Sequence, residues 1–482
     1  MKLIKIKNAK IVKIFIIFLI SITGLYSFEN QLFSDDSKYN LFNSQISLYS
    51  ISNNPALFKI SFNENLMKYS LTGIKINNFF HRKYSPEKEQ NINFEVITSK
   101  ILNNNSTIAS IIKYDQDYKL DMKHSLEKDF YGHYFSYSDT TTGNTEYSGP
   151  KLQFLYDHSI NDKVFFGIKG NYGVEQGLKD VYTQCETILR NLDVSFGAGL
   201  QSIDKSTVIG GYIRYLDRQA KYTAVKEFTD ALVRTYFGYN IFRPENPRSS
   251  NHKTDNQKGI NYSLQFYKKV NNLKLIFNGN YGYTTNNIET GSSSRPVNVA
   301  YWQREGGKYS GDIIYNINSG KSSFQFGYMY KKFEDWAENP HYNTIVITNK
   351  ETIHKFNSSL YLLPNMLTKF SVNGMIEMVN QNYNEYVKLF EYNSDHTNWK
   401  IDSRFEIFLT ESLNWSVNGA YGKFKPHFTW NIDYFNEINI GSGIERYFRF
   451  GYLKIDGMYK KYTPNTDDKE INEYQISLSL RR

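Results

Sequence analysis

The sequence is poor in the residues that stabilise small secreted domains and helical membrane proteins. Its one cysteine, Cys185, cannot form an intramolecular disulfide, and the mean hydropathy of −0.55 excludes a bundle of membrane-spanning helices. Proline is also scarce, with 10 residues among 482, whereas tyrosine and phenylalanine number 40 and 34. Because aromatic rings fit a pleated, half-buried surface, this composition favours strands over helices.

The first 27 residues have the pattern of a secretory signal peptide. A basic segment without acidic residues precedes a short apolar run at 14–22, and the small or polar Thr23, Gly24 and Ser27 follow, although Leu25 is a less usual residue two places before the cleavage position. The basic residues are Lys2, Lys5, Lys7, Lys10 and Lys13. An anchor helix is the alternative, but a membrane span needs roughly 20 apolar residues. We therefore predict export, with cleavage near Ser27.

The charge of the predicted mature chain is only mildly basic. Removal of 1–27 takes away five lysines and no acids, so the formal net charge falls from +9 to +4, with 52 basic against 48 acidic residues. Nucleic-acid binding would call for a concentrated basic face. The sequence therefore predicts no nucleic-acid partner.

Apolar and polar residues alternate with a period of two from about residue 66 to the end. Clear apolar sets are Leu192, Val194, Phe196, Ala198 and Leu200; Phe324, Phe326, Tyr328 and Tyr330; and Leu413, Trp415, Val417 and Tyr421. This spacing puts one set on each face of a strand. Such strands need a large apolar surface on one side, which meets lipid in a barrel and a second sheet in a sandwich.

Connection lengths favour the barrel. Short turns are predicted at 103–105, 161–162, 204–205, 271–272, 318–320, 364–365 and 411, and longer polar connections at 119–147, 223–257, 286–304, 335–349, 383–396 and 425–433. The two kinds alternate, as the short periplasmic turns and long extracellular loops of outer-membrane barrels do. We predict an all-β fold: a single large antiparallel transmembrane β-barrel over 63–482, with about 18 strands (16 as the fallback). Residues 28–62 would form a periplasmic segment or small plug, and a soluble secreted β-protein is the alternative fold.

The strand ends carry further barrel features. Strands predicted to run outward finish in tyrosines, as an interfacial aromatic girdle would, although ordinary aromatic strand pairing is the alternative. These tyrosines are Tyr172, Tyr281, Tyr283, Tyr328, Tyr330, Tyr421, Tyr459 and Tyr462. The last strand alternates at 474–480 and resembles the C-terminal strand that the barrel-assembly machinery recognises. It departs from that pattern by ending in Arg481-Arg482 instead of an aromatic residue.

A segment before the first strand carries a family resemblance. Asn54, Pro55, Ala56 and Leu57 resemble the Asn-Pro-Ala-Leu-like segment that precedes strand one in barrels of the long-chain fatty-acid transporter type. Because Pro55 fixes its own φ and lacks a donor, the expected role is a turn that steers the chain into the barrel mouth, with an ordinary turn as the alternative. The enrichment in Asn, Lys, Ile and Tyr is similar to that of uncharacterised Bacteroidota-type barrels.

Little in the sequence points to catalysis. No phosphate-binding glycine loop or metal-ligand spacing is present, so no cofactor and no metal are expected. In Asp157-His158-Ser159, a strand would put His158 on the opposite face from its neighbours, which prevents a relay. Asp395-His396, on a predicted outer loop, is the better candidate for a hydrolase at the barrel rim. Overall, the sequence predicts a protein that is not an enzyme.

Charged residues fall at positions that alternate with the apolar sets and are therefore predicted to face a wet lumen. They are Lys169, Asp193, Lys274, Asp312, Glu377, Asp402, Arg404, Glu406, Lys454 and Asp456. On a lipid face the basic ones would each cost about 2–4 kcal/mol near the midplane. Their mixed signs fit either a weakly selective aqueous pathway or a charge network that closes the lumen.

Three functions are compatible with these features. The first is an outer-membrane transport barrel, porin-like or specific for a small molecule, whose selectivity is set by the lumen charges and the loops at 119–147 and 223–257. The second is a receptor, adhesion or secretion-complex barrel that binds a partner through long loops such as 236–247, which contains Arg243. The third is a rim hydrolase. Outer-membrane lipid and the barrel-assembly machinery are the expected partners in each case.

Overall fold

The computed structural model describes most of the chain after residue 53. The described residues are 54–57, 65–78, 84–103, 105–132, 134–181, 184–224, 234–238, 241–244, 251–292, 295–317, 322–339, 343–365, 367–426, 428–430, 432–448, 451–465 and 470–481. The predicted signal peptide at 1–27 and most of 28–62 lie outside these ranges.

Twenty strands form one antiparallel sheet. They are β1 Leu66–Asn78, β2 Lys88–Asn103, β3 Ser106–Ser125, β4 Tyr137–Ser159, β5 Val164–Lys179, β6 Glu186–Gln201, β7 Thr207–Ala224, β8 Arg234–Phe237, β9 Ile241–Pro244, β10 Asn251–Val270, β11 Leu273–Ser292, β12 Arg295–Ile317, β13 Ser322–Asn339, β14 Thr344–Asn365, β15 Thr368–Glu385, β16 Phe390–Thr410, β17 Leu413–Phe424, β18 Phe435–Phe448, β19 Gly451–Pro464 and β20 Ile471–Arg481. The hairpin of β8 and β9 stands apart from the wall and pairs only briefly with β4, at Tyr137–Thr235 and Ser138–Arg234.

The other 18 strands close into a barrel. Each pairs with its neighbour along the chain, β7 pairs with β10, and β20 returns to pair with β1 from Lys68–Arg481 to Asn78–Ile471. Closure leaves no unpaired edge, which is what a wall without disulfides needs. The predicted fold class and the count of 18 strands are confirmed.

The outer face of this wall is apolar and exposed. On β6, for example, Ile188, Phe196 and Leu200 are exposed, whereas the alternating Asp193 and Ser195 are buried. The same alternation recurs on strands around the wall, with exposed residues that include Ile213, Leu264, Phe277, Ile313, Ile376, Ile401, Ile444 and Ile455. A water-soluble monomer rarely exposes so continuous an apolar surface, so this belt has the character of a lipid-facing surface.

The two ends of the barrel differ as predicted. The short turns join strands at one end, the short-turn end, for instance between β2 and β3 and between β10 and β11. Most connections at the other end, the long-loop end, are shorter than the sequence predicts because the strands extend into them; the connection between β17 and β18 at 425–434 is not. Within 286–304, for example, only 293–294 separate β11 from β12. The inner face of these extensions carries buried apolar residues such as Ile288, Ala300 and Ile347, so the polar-inside, apolar-outside alternation of a strand in lipid is missing there.

Helical structure among the described residues is limited to three short 3-10 turns, Pro55–Leu57, Phe130–Gly132 and Phe428–Trp430. No helix in these ranges is long and apolar enough to cross a membrane. Two of the turns belong to segments that bear on function. Pro55–Leu57 lies against the inside of the wall, and Phe130–Gly132 belongs to the connection between β3 and β4.

Candidate functional site: the barrel lumen

The ten charged residues singled out in the sequence all lie at positions that alternate with the exposed apolar residues of their own strands. Lys169 follows the exposed Ile168, and Asp402 follows the exposed Ile401. This places their side chains on the inner face of the wall. They do not gather into one site, because they are distributed over strands from β5 to β19. Their role in transport stays a prediction.

Several of these side chains are held by ion pairs within the wall. Arg404 contacts Glu406 at 2.6 Å along β16. Lys454 contacts Asp456 at 3.0 Å. Asp193 accepts a hydrogen bond of 2.8 Å from the Nε of Arg214.

The remaining lumen candidates bind neutral groups or stand alone. Asp312 accepts a hydrogen bond from Gln325 at 3.1 Å, Glu377 accepts one from Asn398 at 3.1 Å, and Asp402 accepts one from Asn373. Lys169 and Lys274 make no ion pair or hydrogen bond with another residue in the described part of the chain.

In each of the two candidate catalytic groups, the adjacent residues point to opposite faces of their strand. On β4, Asp157 accepts a hydrogen bond from the backbone N–H of Thr107 at 3.0 Å, while His158 contacts Ser106 on the other face at 2.8 Å. The prediction that Asp395-His396 lies on an outer loop is wrong. Both residues are within β16, where adjacent side chains point to opposite faces.

The Asn54–Leu57 segment, the second set of residues singled out in the sequence, lies inside the barrel. The Nδ2 of Asn54 donates hydrogen bonds to the carbonyl oxygens of Ala198 at 3.2 Å and of Gly211 at 3.1 Å. Its Oδ1 accepts one from the N–H of Ala56 at 3.0 Å, which closes the turn. All three residues of the turn, Pro55, Ala56 and Leu57, are buried.

A patch of inward glycines makes room for this turn. An added Cβ at Gly167 would lie 2.6 Å from the backbone nitrogen of Ala56, and one at Gly199 would lie 2.6 Å from a methyl group of Leu57. Gly197 and Gly210 border Asn54 in the same way. We call Gly167, Gly197, Gly199 and Gly210 the glycine patch. Strand glycines often mark such a close approach of another backbone.

The connection between β3 and β4 folds inward instead of projecting from the long-loop end. We call residues 126–136 the inner loop; residue 133 lies outside the described ranges. Its backbone pairs with the β8–β9 hairpin, because the N–H of Tyr236 donates to Ser136 O at 2.7 Å and the N–H of Gly238 donates to Tyr134 O at 2.6 Å. Gly238 has φ +77°, in the left-handed region that favours glycine.

A buried ion pair fixes one side of the inner loop. Glu127 contacts Lys253 of β10, and both side chains are 0% exposed. Lys253 also donates to the carbonyl oxygen of Phe135 at 2.7 Å, and Glu127 accepts from the N–H of Tyr137 at 2.6 Å. A buried pair with these added hydrogen bonds resists separation, since removing one partner would leave a charge uncompensated.

The other side of the inner loop is fixed to the far wall. The hydroxyl of Tyr134 donates to Asp335 of β13, which also holds Arg304 of β12 in a bidentate pair at 2.7 and 2.8 Å. Asn349 of β14 donates to the Tyr134 oxygen at 3.2 Å. The shorter way around the closed wall from β4 to these strands passes β5, β6, β7, β10 and β11, so the inner loop crosses the lumen.

Apolar packing fills the space around this crossing. Tyr134 and Phe135 belong to a buried cluster on the inner face of β11 to β15. Its other buried members are Ile288, Ala300, Trp302, Ala337, Val346, Ile347 and Tyr383. The Tyr134 ring meets Trp302 edge-on at 6.0 Å and stacks on Tyr383 at 6.4 Å. The lumen is therefore obstructed near its long-loop end.

Sequence reasoning missed the inner loop. It treated 119–147 and 223–257 as solvent-exposed connections, and it offered 236–247 for partner binding. Tyr236 is buried instead, with its ring against Tyr84 and Phe130. The side chain of Arg243 lies outside what the structure describes. The missed signal was composition: 130–137 contain five aromatic residues, too many for a connection that stays in water.

A cavity of about 840 Å³ lies on the short-turn side of the inner loop. Phe130 and Tyr131 of the inner loop border it, together with Tyr84 from the connection before β2. Inward residues of β2 to β7 and of β10 form its walls. No group of three or more His, Cys, Asp or Glu residues in the described ranges has the arrangement of a metal site.

The structure defines a large antiparallel β-barrel of the outer-membrane type, and that prediction is confirmed. Residues 55–480 match the model described as "Family of unknown function (DUF6850)", so the chain belongs to that family. No curated protein matches the chain.

Solved outer-membrane barrels resemble the chain at low identity. The ferric preacinetobactin receptor BauA of Acinetobacter baumannii is 6% identical over 87% of this chain and 80% of that chain, with a TM-score of 0.42. The alcaligin receptor FauA of Bordetella pertussis is 8% identical over 87% and 76%, with a TM-score of 0.47. A FadL homologue of Pseudomonas aeruginosa is 10% identical over 90% and 92%, with a TM-score of 0.33. The Bacteroidota-type origin and the fatty-acid transporter resemblance stay predictions.

Proposed function

We propose that this protein is an outer-membrane barrel that admits a polar small molecule, and that the inner loop keeps its lumen closed at rest. The observation that carries the proposal is the inner loop itself, tied to β10 through Glu127–Lys253 and to β12–β14 through Tyr134. A general porin needs an open lumen, whereas a selective uptake protein gains from a closed one. The charged inner wall supports a polar solute over an apolar one.

The outer belt supports placement in a bilayer. A span of 9–11 tilted residues crosses the hydrocarbon core, and on β10 the exposed apolar residues extend over about that length, from Ile260 to Val270. The short-turn end would then face the periplasm and the inner loop would lie toward the outside. An 18-stranded wall leaves room for a water-filled passage once the inner loop moves.

Solute release from proteoliposomes tests this function. We expect liposomes with the wild-type protein to retain a small uncharged dye, because the inner loop closes the lumen. Replacement of 127–136 by Gly-Ser-Gly removes the inner loop, and a short turn can take its place because Ser125 and Ser138 already pair. Liposomes with this variant should release the dye at least tenfold faster than those with the wild type. The matched control replaces the exposed β15–β16 connection at 386–389 with glycine and serine. Equal, rapid release from all three proteins would refute a closed resting state.

A lipid-face substitution tests the placement in the membrane. Leu264 is 72% exposed on the outer face of β10, seven residues from the 271–272 turn. Leu264→Arg should lower the free energy of unfolding in a bilayer by about 2–4 kcal/mol, because the guanidinium would enter the hydrocarbon. Leu264→Met should leave stability unchanged. The readout is the denaturant concentration at which half of the protein is unfolded, followed on a gel by the difference in mobility between the folded and the unfolded barrel. Equal midpoints for Leu264→Arg and the wild type would contradict lipid contact at Leu264.

A further inference from the structure

The cavity beneath the inner loop combines two kinds of polar residue. Charged side chains line the part formed by β3 to β5, and amide side chains line the part formed by β4 to β7 and β10. At about 840 Å³, the cavity lies within the range of small-molecule binding pockets. The chemistry of its ligand depends on which of these groups are free to bind one.

The charged groups are occupied with one another. Lys151 contacts Asp115 and Glu175, each at 2.8 Å. Lys128 of the inner loop contacts Glu175 at 3.2 Å and Asp117 at 3.5 Å. Asp115, Asp117 and Glu175 therefore already have a cation beside them. A charged ligand would have to displace these ion pairs, so this group of paired side chains is poorly suited to bind one.

The amide groups are not occupied in this way. Gln153 and Gln257 make no hydrogen bond with any residue in the described ranges. Asn171 lies directly opposite Gln153 in the β4–β5 register, and its buried Oδ1 has no hydrogen-bond partner among those residues. A buried carbonyl oxygen without a partner is costly, and a ligand donor would remove that cost.

Arg218 extends the amide row across three strands. In the register it lies opposite Asn191 on β6 and opposite Gln257 on β10. Its Nε donates to the Oδ1 of Asn191 at 3.1 Å, and no carboxylate in the described ranges pairs with it. The guanidinium therefore has donors left for an oxygen-bearing ligand.

Aromatic faces complete the cavity at the inner loop. The rings of Tyr84 and Phe130 stack at 4.1 Å, and that of Tyr131 lies 5.2 Å from that of Phe130. Tyr84 and Phe130 are buried, whereas Tyr131 is partly exposed, and its ring can pack against the C–H surface of a ring whose edge carries polar groups.

We propose that this cavity binds a saccharide. Hydroxyl groups both donate and accept, which matches the free amides of Gln153 and Gln257 and the buried Oδ1 of Asn171, and the donors of Arg218 suit hydroxyl oxygens as well. A fatty acid would leave these amides unpaired, and the ammonium group of an amino acid would find Asp115, Asp117 and Glu175 already paired with lysines. The inference rests on the proposed uptake function and names the class of its substrate.

Direct binding tests the proposal. Purified wild-type barrel in detergent should bind neutral or uronate-containing oligosaccharides on a glycan array, and titration calorimetry should then give the affinity for the best of them. Gln153→Ala and Gln257→Ala should each weaken that affinity about tenfold, the loss expected for one hydrogen bond of about 1.4 kcal/mol. Gln325→Ala, an inward glutamine on β13 outside the cavity, is the matched control. A change in gel mobility on boiling, as in the wild type, would show that each variant is folded.

The outcomes separate this proposal from the uptake function. A saccharide bound equally well by the wild type and both cavity variants would overturn the site. No glycan bound anywhere on the array, or binding of a fatty acid or amino acid instead, would overturn the ligand class. Neither result affects closure by the inner loop, which the solute-release assay measures without any ligand. Free release through the wild-type barrel would refute the closed lumen whatever the array shows.

Discussion

Replacing Lys253 with methionine should release the inner loop from the wall. The substitution leaves the Glu127 carboxylate buried without its cation, and the loss of one partner of a buried pair costs about 3–5 kcal/mol. The loop can avoid this cost by moving Glu127 into water. We therefore expect the inner loop to open while the barrel stays folded. Backbone amides of the inner loop should then exchange with deuterium at least 100-fold faster than in the wild type, as measured by mass spectrometry.

A double variant provides the control for this result. Glu127→Gln together with Lys253→Met removes both charges and keeps an oxygen that can accept from the N–H of Tyr137. Replacing both members of a buried pair by neutral groups is often close to neutral for stability, so exchange should return toward the wild-type rate. If the single variant exchanges no faster than the wild type, the Glu127–Lys253 pair does not hold the loop.

Valine in place of Gly167 should displace the Asn54–Leu57 turn from the glycine patch. A side chain there would meet the backbone of Pro55 and Ala56, which cannot rotate away as a flexible side chain can. The turn would lose the burial of Leu57, a loss of about 1.5–3 kcal/mol. With cysteines in place of Leu57 and Val208, which pack together on the inner face, reaction with a short thiol cross-linker should fall about tenfold or more when Gly167→Val is added.

Gly170→Val is the matched control on the same strand. Gly170 points to the opposite face, and an added Cβ would meet no atom within 4 Å. Cross-linking should therefore be unchanged. The native Cys185 should not interfere, because burial raises the pKa of its thiol to about 12 and keeps it unreactive. Undiminished cross-linking in Gly167→Val would show that the turn does not depend on the patch.

The wall of the barrel could be predicted from the sequence because its signal is local. The alternation around Phe196 or Ile401 follows from one strand facing lipid on one side, and the short turns at 161–162 and 271–272 mark where strands reverse. Each feature is contained within some ten residues. Closure by β20 onto β1 then follows from the need to leave no free edge.

The inner loop could not be predicted in the same way because its partners are remote. Glu127 is 126 residues from Lys253, and Tyr134 is 201 residues from Asp335. In sequence, each of these is a charged or aromatic residue within a polar connection, where solvent exposure is the usual outcome. Only the closed wall brings them together. The glycine patch is similar, since Gly197 and Gly199 look like ordinary strand glycines until Asn54 and Leu57 lie against them.

Single-channel recording in a planar bilayer tests the central claim most directly. The account predicts that the wild-type barrel passes little or no steady current, and that the variant with Gly-Ser-Gly in place of 127–136 gives large, stable conductance steps in the same membrane. The control with the altered 386–389 connection should behave as the wild type does. Large steady steps from the wild type, equal in size to those of the shortened variant, would contradict closure of the lumen by the inner loop.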